Sequence, residues 1–209
     1  MVEIAAGWAF ADAFVPEDDA IEGAREAAHR FGIEPVSPAV GVALALAAGG
    51  REAPAIVEIG TGTGVSGLWL LKGAPDAQLT TIDQDLDHHQ AARAAFQAAG
   101  HPARRTRFIT GRATEVLPRM NEQAYDLVFV DADWEHVQEY VDAALKLVRP
   151  GGSVLVAHVL QQGRVANPAK RDRVTVAYRG MLKSVRERES VLAGLSIVGD
   201  GLLHVLHRP

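Results

Sequence analysis

The sequence predicts an α/β fold: a doubly wound, mostly parallel sheet of seven strands with an antiparallel terminal strand and an N-terminal helical extension. Three features lead to this prediction. Short apolar segments alternate with helical segments after residue 55, a glycine-rich turn follows the first of them, and the last two strand-like segments have no helix between them. A chain of 209 residues is long enough for one complete core. We therefore predict a single domain over residues 1–209, with helices over 1–50 and the α/β core over 55–209.

The first fifty residues have the pattern of helices. Apolar residues around Trp8 and Phe14 form the first, and the charged, alanine-rich segment Glu17–Arg30 forms the second. Ser37 followed by Pro38 is typical of a helix start, with the serine as N-cap and the proline in the first turn. The helix that follows is apolar on all sides, which indicates burial.

The segments after residue 55 define the sheet. Strand-like segments occur at residues 55–59, 78–83, 104–110, 125–131 and 152–159, and helical segments between them at 65–72, 86–99, 113–119 and 135–148. Short apolar strands separated by helices are typical of parallel βαβ units. The final segments, 190–198 and 202–207, are joined by Gly199-Asp200-Gly201, which is typical of a hairpin turn.

Composition and charge exclude several classes of function. There are 21 basic and 26 acidic residues, so the net charge of −5 provides no general attraction to nucleic acid or to an anionic membrane. The chain has no cysteine, which excludes thiolate metal sites and cysteine nucleophiles. We find neither a signal-peptide pattern nor an apolar run long enough to span a bilayer, and we expect a cytoplasmic protein.

The glycine-rich turn after the first strand fits two patterns. Gly62-x-Gly64-x-x-Gly67 matches the fingerprint of dinucleotide-binding proteins. Shifted by two residues, Glu58-x-Gly60-x-Gly62-x-Gly64 is a different motif with an acid before its first glycine. Both predict a ligand close to the main chain, because glycine lets the backbone turn tightly and the next helix offers its N-terminal amides.

Acidic residues follow two further strands at the same edge of the sheet. Asp83 ends the second strand, 23 residues after Gly60 (83 − 60), where a carboxylate can accept two ribose hydroxyls. Asp83 could instead be the N-cap of the next helix, but Asp85 can fill that role. Asp131 ends a wholly apolar strand, where a carboxylate must be paired, bind a metal or face a cleft.

Histidines occur both at a strand end and on predicted helices. His158 ends the strand after that of Asp131, so we expect the two side chains to be neighbours across the sheet. His29, His88, His89 and His136 lie on helices, and we expect all four on exposed faces.

These motifs, taken in order, resemble class I S-adenosylmethionine-dependent methyltransferases with a Rossmann-like core. The residues that carry the resemblance are Glu58-Ile-Gly60-Thr-Gly62-Thr-Gly64-Val-Ser66, Asp83, Gly111-x-Ala113, "YDLVFVDAD", "LVRPGGSVLVAHVLQQGRV" and "IVGDGLLHVLH". More narrowly, they resemble the cation-dependent O-methyltransferases, which include catechol and caffeoyl-CoA O-methyltransferases. The resemblance runs from Val36 to the C-terminus.

The resemblance implies a set of ligand contacts and a homodimer. The methionine part of the cofactor would be surrounded by Val36, Glu58, Gly60, Thr61, Gly62 and Ser66. Asp83 would take the ribose hydroxyls and Ala113 the adenine edge. Asp131 would lie closest to the sulfonium and the acceptor, with Asp133 nearby.

The sequence departs from this family at two positions. The family's metal site uses the first aspartate of "DAD" and an Asp-Asn pair after the next strand. Asp131 matches that aspartate, but Ala157-His158 stands in place of the pair. Trp134 stands where the family has a lysine that serves as base. One carboxylate and one imidazole are a poor cage for Mg²⁺, so we expect no magnesium site, although His158 could still be a ligand of another metal.

We therefore predict methyl transfer from S-adenosylmethionine to a hydroxyl of a small, aromatic acceptor. Asp131 and His158 are the predicted catalytic residues, with His158 as general base and His136 as the second candidate. Two other functions are left open: a protein that binds S-adenosylmethionine without transferring its methyl group, and a nicotinamide-dependent oxidoreductase. A nucleic-acid methyltransferase is disfavoured, because no Asn/Asp-Pro-Pro-aromatic motif follows the fourth strand.

Overall fold

The computed structural model describes residues 2–50 and 53–208, with side chains from residue 6 onward. The outermost positions of the predicted domain, Met1 and Pro209, lie outside the described residues. The helices are α1 (Val2–Asp12), α2 (Asp19–Phe31), α3 (Pro38–Gly49), α4 (Val65–Gly73), α5 (Leu86–Ala98), α6 (Ala113–Val116), α7 (Val137–Leu147) and α8 (Arg173–Arg186). The strands are β1 (Ala55–Ile59), β2 (Gln78–Asp83), β3 (Thr106–Thr110), β4 (Tyr125–Val130), β5 (Val148–Val156), β6 (Val191–Ser196) and β7 (Leu202–His207).

The seven strands form one sheet in the order β3-β2-β1-β4-β5-β7-β6. Strands β1 to β5 are parallel, and β7 is antiparallel to both of its neighbours, β5 and β6. The predicted fold class is confirmed. The chain leaves β1 toward β2 and β3 and then returns to β4 on the other side of β1, so the strand order reverses between β1 and β4.

The antiparallel strand, β7, lies inside the sheet between β5 and β6, whereas the sequence predicted that the sheet ends in an antiparallel strand. Leu202, Leu203 and Val205 of β7 are buried, while β6 is buried only at its first residue, Val191. A strand with apolar residues on both faces is suited to an inner position, and the more exposed β6 therefore forms the edge.

Alternate strand residues point into two separate apolar layers. In β1, Ile56 packs with α2, α3, α4 and α5 on one face, whereas Val57 packs with α6, α7 and α8 on the other. Both layers are closed by helices, as expected for strands that are apolar throughout.

Local sequence signals set most helix boundaries. The carboxylates of Asp18, Asp85 and Asp172 cap α2, α5 and α8 by accepting main-chain hydrogen bonds from the first turn. Ser37 occupies the N-cap position of α3 and Pro38 the first helical position, but the serine side chain makes no capping bond. The prediction that α3 is buried all round is wrong, because Leu46 is exposed.

The predicted fifth strand is shifted along the chain. It begins at Val148 rather than Gly152, because Val148 already pairs with Tyr125 of β4. Arg149–Gly152 then form an irregular stretch before regular pairing resumes at Ser153. It ends at Val156, since His158 has a positive φ of 57° that extended backbone does not allow.

In the part of the chain that the structure describes, no helix combines the length and the apolar character needed to cross a membrane.

Candidate active site

The glycine-rich turn, Gly60–Gly64, lies at the point where the strand order reverses. Gly60 follows β1 with a φ of 94°, and its N–H donates to the carbonyl of Ile82 at 2.9 Å. A Cβ at this position would lie 1.9 Å from the carbonyl oxygen of Asp131, which follows β4. Only glycine fits there, and its absent side chain lets the ends of β1 and β4 approach each other.

Two adjoining cavities open at this edge of the sheet. The larger, of about 550 Å³, is lined by residues that follow β1, β2, β3 and β4, including Asp83, Ala113, Asp131 and Asp133. The smaller, of about 90 Å³, lies between the glycine-rich turn and the segment before α3, and Val36, Thr61 and Ser66 line it. Gly60, Gly62 and Asp131 line both cavities, and their combined size is in the range of small-molecule sites.

Asp83 is held in the larger cavity by main-chain donors. Its Oδ2 accepts from the Gly62 N–H and its Oδ1 from the Asp85 N–H, both at 3.0 Å. His88 Nδ1 lies 3.4 Å from Oδ2. Asp85 caps α5, as the sequence predicted, and this leaves Asp83 free to face the cavity with its position fixed by the turn.

Glu58 lies behind the glycine-rich turn and does not line either cavity. Its side chain is fully buried, and it accepts hydrogen bonds from Ser66 Oγ at 2.7 Å and Thr81 Oγ1 at 2.6 Å. Burial raises its pKa to about 7, with the hydroxyl hydrogen bonds opposing the shift and the charges of Asp131 and Asp83 adding to it. The resemblance implied direct contact with the ligand, whereas in the structure Glu58 is absent from the lining of both cavities. The Ser66 hydroxyl, which the resemblance placed around the methionine part of the cofactor, donates its hydrogen bond to Glu58.

The raised pKa of Glu58 makes stability fall as the pH rises. Between about pH 4.5 and 7 the folded protein holds this proton and the unfolded chain does not, so the free energy of unfolding decreases across that window and is level above it. This decrease in the free energy of unfolding amounts to roughly 3 kcal/mol. We expect it to be absent in Glu58→Gln, whose side chain cannot titrate. Urea unfolding at pH values from 5 to 8.5 measures this. Glu26→Gln, on the exposed face of α2, should keep the wild-type dependence, and parallel curves for Glu58→Gln and wild type would contradict the assignment.

One side of the larger cavity is formed where β3 leads into α6. Gly111 connects the two elements, and Ala113 is buried at the start of α6. Opposite them, Asp133 accepts from Tyr140 Oη at 2.5 Å and pairs with His136 Nδ1 at 2.6 Å. The hydrogen bond to Asp133 raises the pKa of His136. Asp133 also caps the short helical turn after β4.

Asp131 and His158 face each other across β4 and β5, as the sequence predicted. His158 Nε2 lies 3.6 Å from Asp131 Oδ1, and its Nδ1 lies 3.9 Å from Asp200 Oδ2. Burial raises the pKa of Asp131, and the neighbouring imidazole partly offsets this. The three side chains form a row of carboxylate, imidazole and carboxylate, each with about a quarter of its surface exposed.

This row is a poor fit for the divalent cation of the cation-dependent enzymes. Ala157 supplies no donor, and the described residues contain no group of three or more His, Cys, Asp or Glu side chains arranged to hold a metal ion. Mg²⁺ takes about six oxygen ligands in an octahedron. We therefore assign no catalytic step to a metal.

Two residues of this region were not predicted from the sequence. The sequence predicts Asp200 only as part of a turn, and nothing in it indicates that this turn reaches His158. The prediction that His89 is exposed is wrong: its side chain is 2% exposed. His89 shares the buried face of α5 with Ala92 and Phe96, and this helical spacing was the available signal.

Comparisons with known proteins agree with this geometry. A model of the O-methyltransferase family matches residues 24–208. A Mycobacterium tuberculosis protein named "Probable O-methyltransferase" is 44% identical over 197 residues, which cover 94% of this chain and 88% of the relative.

Solved structures show the same fold. The O-methyltransferase TomG from Streptomyces achromogenes, involved in tomaymycin synthesis and solved in complex with SAM, has a TM-score of 0.86 and 32% identity, covering 96% of this chain and 94% of that one. The O-methyltransferase from Bacillus cereus, in complex with SAH, has a TM-score of 0.86 and 25% identity over the whole of both chains. The matches favour a methyltransferase over a nicotinamide-dependent oxidoreductase. The chain belongs to the O-methyltransferase family, as its motifs indicate.

Proposed function

We propose that the protein uses a single domain to transfer the methyl group of S-adenosylmethionine to a hydroxyl of a small aromatic acceptor. The observation that carries the proposal is the arrangement of the two cavities around the glycine-rich turn, with Asp83 at one end and the row Asp131, His158 and Asp200 at the other. When bound, S-adenosylmethionine supplies an electrophilic methyl group: its S–CH₃ bond breaks as the O–CH₃ bond forms, and the hydroxyl proton is released to a base.

The cavities divide the cofactor contacts between two sets of residues. Asp83 binds the ribose hydroxyls, and the main chain at Ala113 binds the adenine edge in the larger cavity. The main chain of the glycine-rich turn and Val36 surround the amino-acid tail in the smaller one. Glu58 and Ser66 support the turn from behind. These roles are supported by the cavity linings and by the hydrogen bonds that fix Asp83.

The residues around Asp131 orient the reaction. Asp131 lies at the junction of the cavities, where the sulfonium would be, and its carboxylate favours positive charge there. His158 lies beside it and accepts the acceptor's proton. Holding the oxygen in line with the methyl group can supply up to about 7–11 kcal/mol of the barrier reduction.

An assay of methylated products tests the function. The protein is incubated with S-adenosylmethionine and a panel of mono- and dihydroxylated aromatic compounds, with and without EDTA, and the products are identified by mass spectrometry. We expect a methyl ether together with S-adenosylhomocysteine, in yields that EDTA does not change. Cofactor binding by calorimetry without any product across the panel would favour a binding protein without transferase activity.

We further propose that the enzyme is a cytoplasmic homodimer formed through its N-terminal helices. Phe10 and Phe14 are each 72% exposed and lie 6.2 Å apart between ring centroids, with Trp8 exposed beside them on α1. Exposed apolar clusters of this kind are typical of interfaces.

The dimer predicts the behaviour of two surface variants. Phe10→Ser/Phe14→Ser should give a monomer by light scattering after size-exclusion chromatography. Leu192→Ser/Leu195→Ser, which removes exposed apolar residues from the edge strand β6, should stay dimeric. The opposite pattern would place the interface at β6.

A further inference from the structure

A continuous chain of hydrogen bonds runs beneath the glycine-rich turn, from β1 to the end of β3. Its distances are 2.7 Å from Ser66 Oγ to Glu58 Oε1, 2.6 Å from Thr81 Oγ1 to Glu58 Oε2, 2.6 Å from Thr61 Oγ1 to Thr81 Oγ1, 3.2 Å from Thr61 Oγ1 to His89 Nε2, and 3.0 Å from His89 Nδ1 to Thr110 Oγ1. We call these six residues the polar chain. Glu58, Thr61, Ser66, Thr81 and His89 are all buried.

The ionised form of Glu58 fixes the direction of every hydrogen bond in the polar chain. A carboxylate only accepts, so Thr81 donates its single hydroxyl proton to Glu58 and must accept from Thr61. Thr61 then has no proton left for His89, so His89 donates from Nε2. A neutral imidazole that donates from Nε2 accepts at Nδ1, where the Thr110 hydroxyl is placed.

The environment of His89 keeps it neutral. Burial lowers its pKa, the nearby Asp83 opposes this, and Arg93 adds to it. Its ring also packs edge-on against Phe108 at 5.2 Å between centroids. The imidazole is therefore fixed both by packing and by two hydrogen bonds that require opposite roles from its two nitrogens.

Thr61 is the member of the polar chain that belongs to the turn itself. Thr61 lines the smaller cavity and lies between Gly60 and Gly62, both of which have positive φ. Glycines lose the most conformational freedom when they are ordered, so an anchor on the residue between them restrains the turn before a ligand arrives.

We propose that His89 is a positioning residue for cofactor binding: it holds Thr61 through Nε2–H, and Thr110 holds its Nδ1, so that the glycine-rich turn is fixed in its binding conformation. This role rests on the proposed function, because the turn is taken to bind the amino-acid tail of S-adenosylmethionine. It also explains why a histidine on a helix adjoining the site is buried without touching the cavity.

Substitutions at His89 test the role through affinity. The dissociation constant of S-adenosylhomocysteine is measured by calorimetry for His89→Phe, which keeps a flat ring against Phe108 but has no nitrogen. We expect about 10-fold weaker binding, which is the size of one lost buried hydrogen bond. His89→Gln, whose amide can donate to Thr61, should recover part of the loss, and denaturant unfolding checks that each variant is folded.

A matched pair of threonines in β2 provides the control. Thr81→Val removes a member of the polar chain and should also weaken binding. Thr80→Val changes the neighbouring residue of the same strand, which points to the other face of the sheet and is outside the polar chain, and should bind as the wild type does.

The tautomer of His89 gives a readout that does not depend on binding. In protein labelled with ¹⁵N at histidine, at pH 8.5, the imidazole shifts of His89 should be those of the neutral Nε2–H form, and Thr110→Val should alter the Nδ1 shift. An Nδ1–H tautomer, or unchanged affinity in folded His89→Phe, would overturn the role of His89 alone. Failure of the wild type to bind S-adenosylhomocysteine would overturn the proposed function and this role together.

Discussion

Replacement of His158 should lower kcat by about 10² to 10⁴-fold while leaving the affinity for S-adenosylhomocysteine close to that of the wild type. Removing a general base has effects of this size. His158 is not among the residues that line either cavity, so its replacement should leave the proposed cofactor contacts in place. Its Nε2 lies 3.6 Å from Asp131 Oδ1, the carboxylate nearest the transferred methyl group in the proposed arrangement.

The choice of variant matters because His158 has a φ of 57°. Alanine is strained in this left-handed region, whereas asparagine adopts it more readily. His158→Asn therefore separates loss of the base from backbone strain. Steady-state kinetics on an acceptor found in the product assay should give the same loss of kcat for His158→Ala and His158→Asn.

His136 is the competing candidate for the base. Its Nδ1 is paired with Asp133 at 2.6 Å, and this pairing raises its pKa, which leaves less of the neutral form at pH 7. We expect His136→Ala to have a much smaller effect on kcat than His158→Asn. A full loss in His136→Ala with near-normal turnover in His158→Asn would reverse the assignment.

Substitution of Gly60 should remove both cofactor binding and much of the stability. The added Cβ of Gly60→Ala would lie 1.9 Å from the Asp131 carbonyl oxygen, so β1 or β4 must move. Forced contacts in a packed core cost about 1–3 kcal/mol, and alanine at a φ of 94° adds about 1–2 kcal/mol. We expect a total loss of about 2–5 kcal/mol in urea unfolding, and S-adenosylhomocysteine binding weakened at least about 100-fold because both cavities share this residue.

Gly32→Ala is the matched control for Gly60→Ala. Gly32 ends α2 with a φ of 70°, and a Cβ there would meet no atom within 4 Å. It therefore carries the cost of the left-handed backbone without the clash, and should lose only about 1–2 kcal/mol with unchanged ligand affinity. Equal losses in the two variants would show that the approach of β1 and β4 is not what requires glycine.

Local patterns predicted the elements of the sheet well. The bounds of β1, β2 and β7 coincide with the predicted segments; Gly60 follows β1 directly and Gly201 precedes β7, and such residues mark strand ends locally. The N-cap Asp85 was also predicted, since a cap depends on residues only two or three positions away. β5 was predicted with shifted bounds, because the irregular pairing of Arg149–Gly152 depends on β4.

The candidate site was predicted in part. Asp83 ends β2 and Asp131 follows β4 directly, so the parallel sheet alone brings them to one edge. The role of Glu58 changed, because whether an acid at the end of a strand faces a cavity depends on which hydroxyls pack against it. His89 was wrongly predicted to be exposed for the same reason, since its hydrogen-bond partners Thr61 and Thr110 come from other segments.

Local residue patterns were enough to predict the order of strands and helices along the chain, the glycine-rich turn, and the acids at the ends of β2 and β4. These depend on apolar periodicity and on backbone conformations that only certain residues adopt, and both are local properties. The tertiary structure decided the rest: that β7 lies within the sheet, that Glu58 is sealed behind the turn with a raised pKa, that His89 supports Thr61, and that Asp200 reaches His158. Each of these depends on burial or on contacts between segments far apart in the chain, and those are fixed only when the two apolar layers close on the sheet.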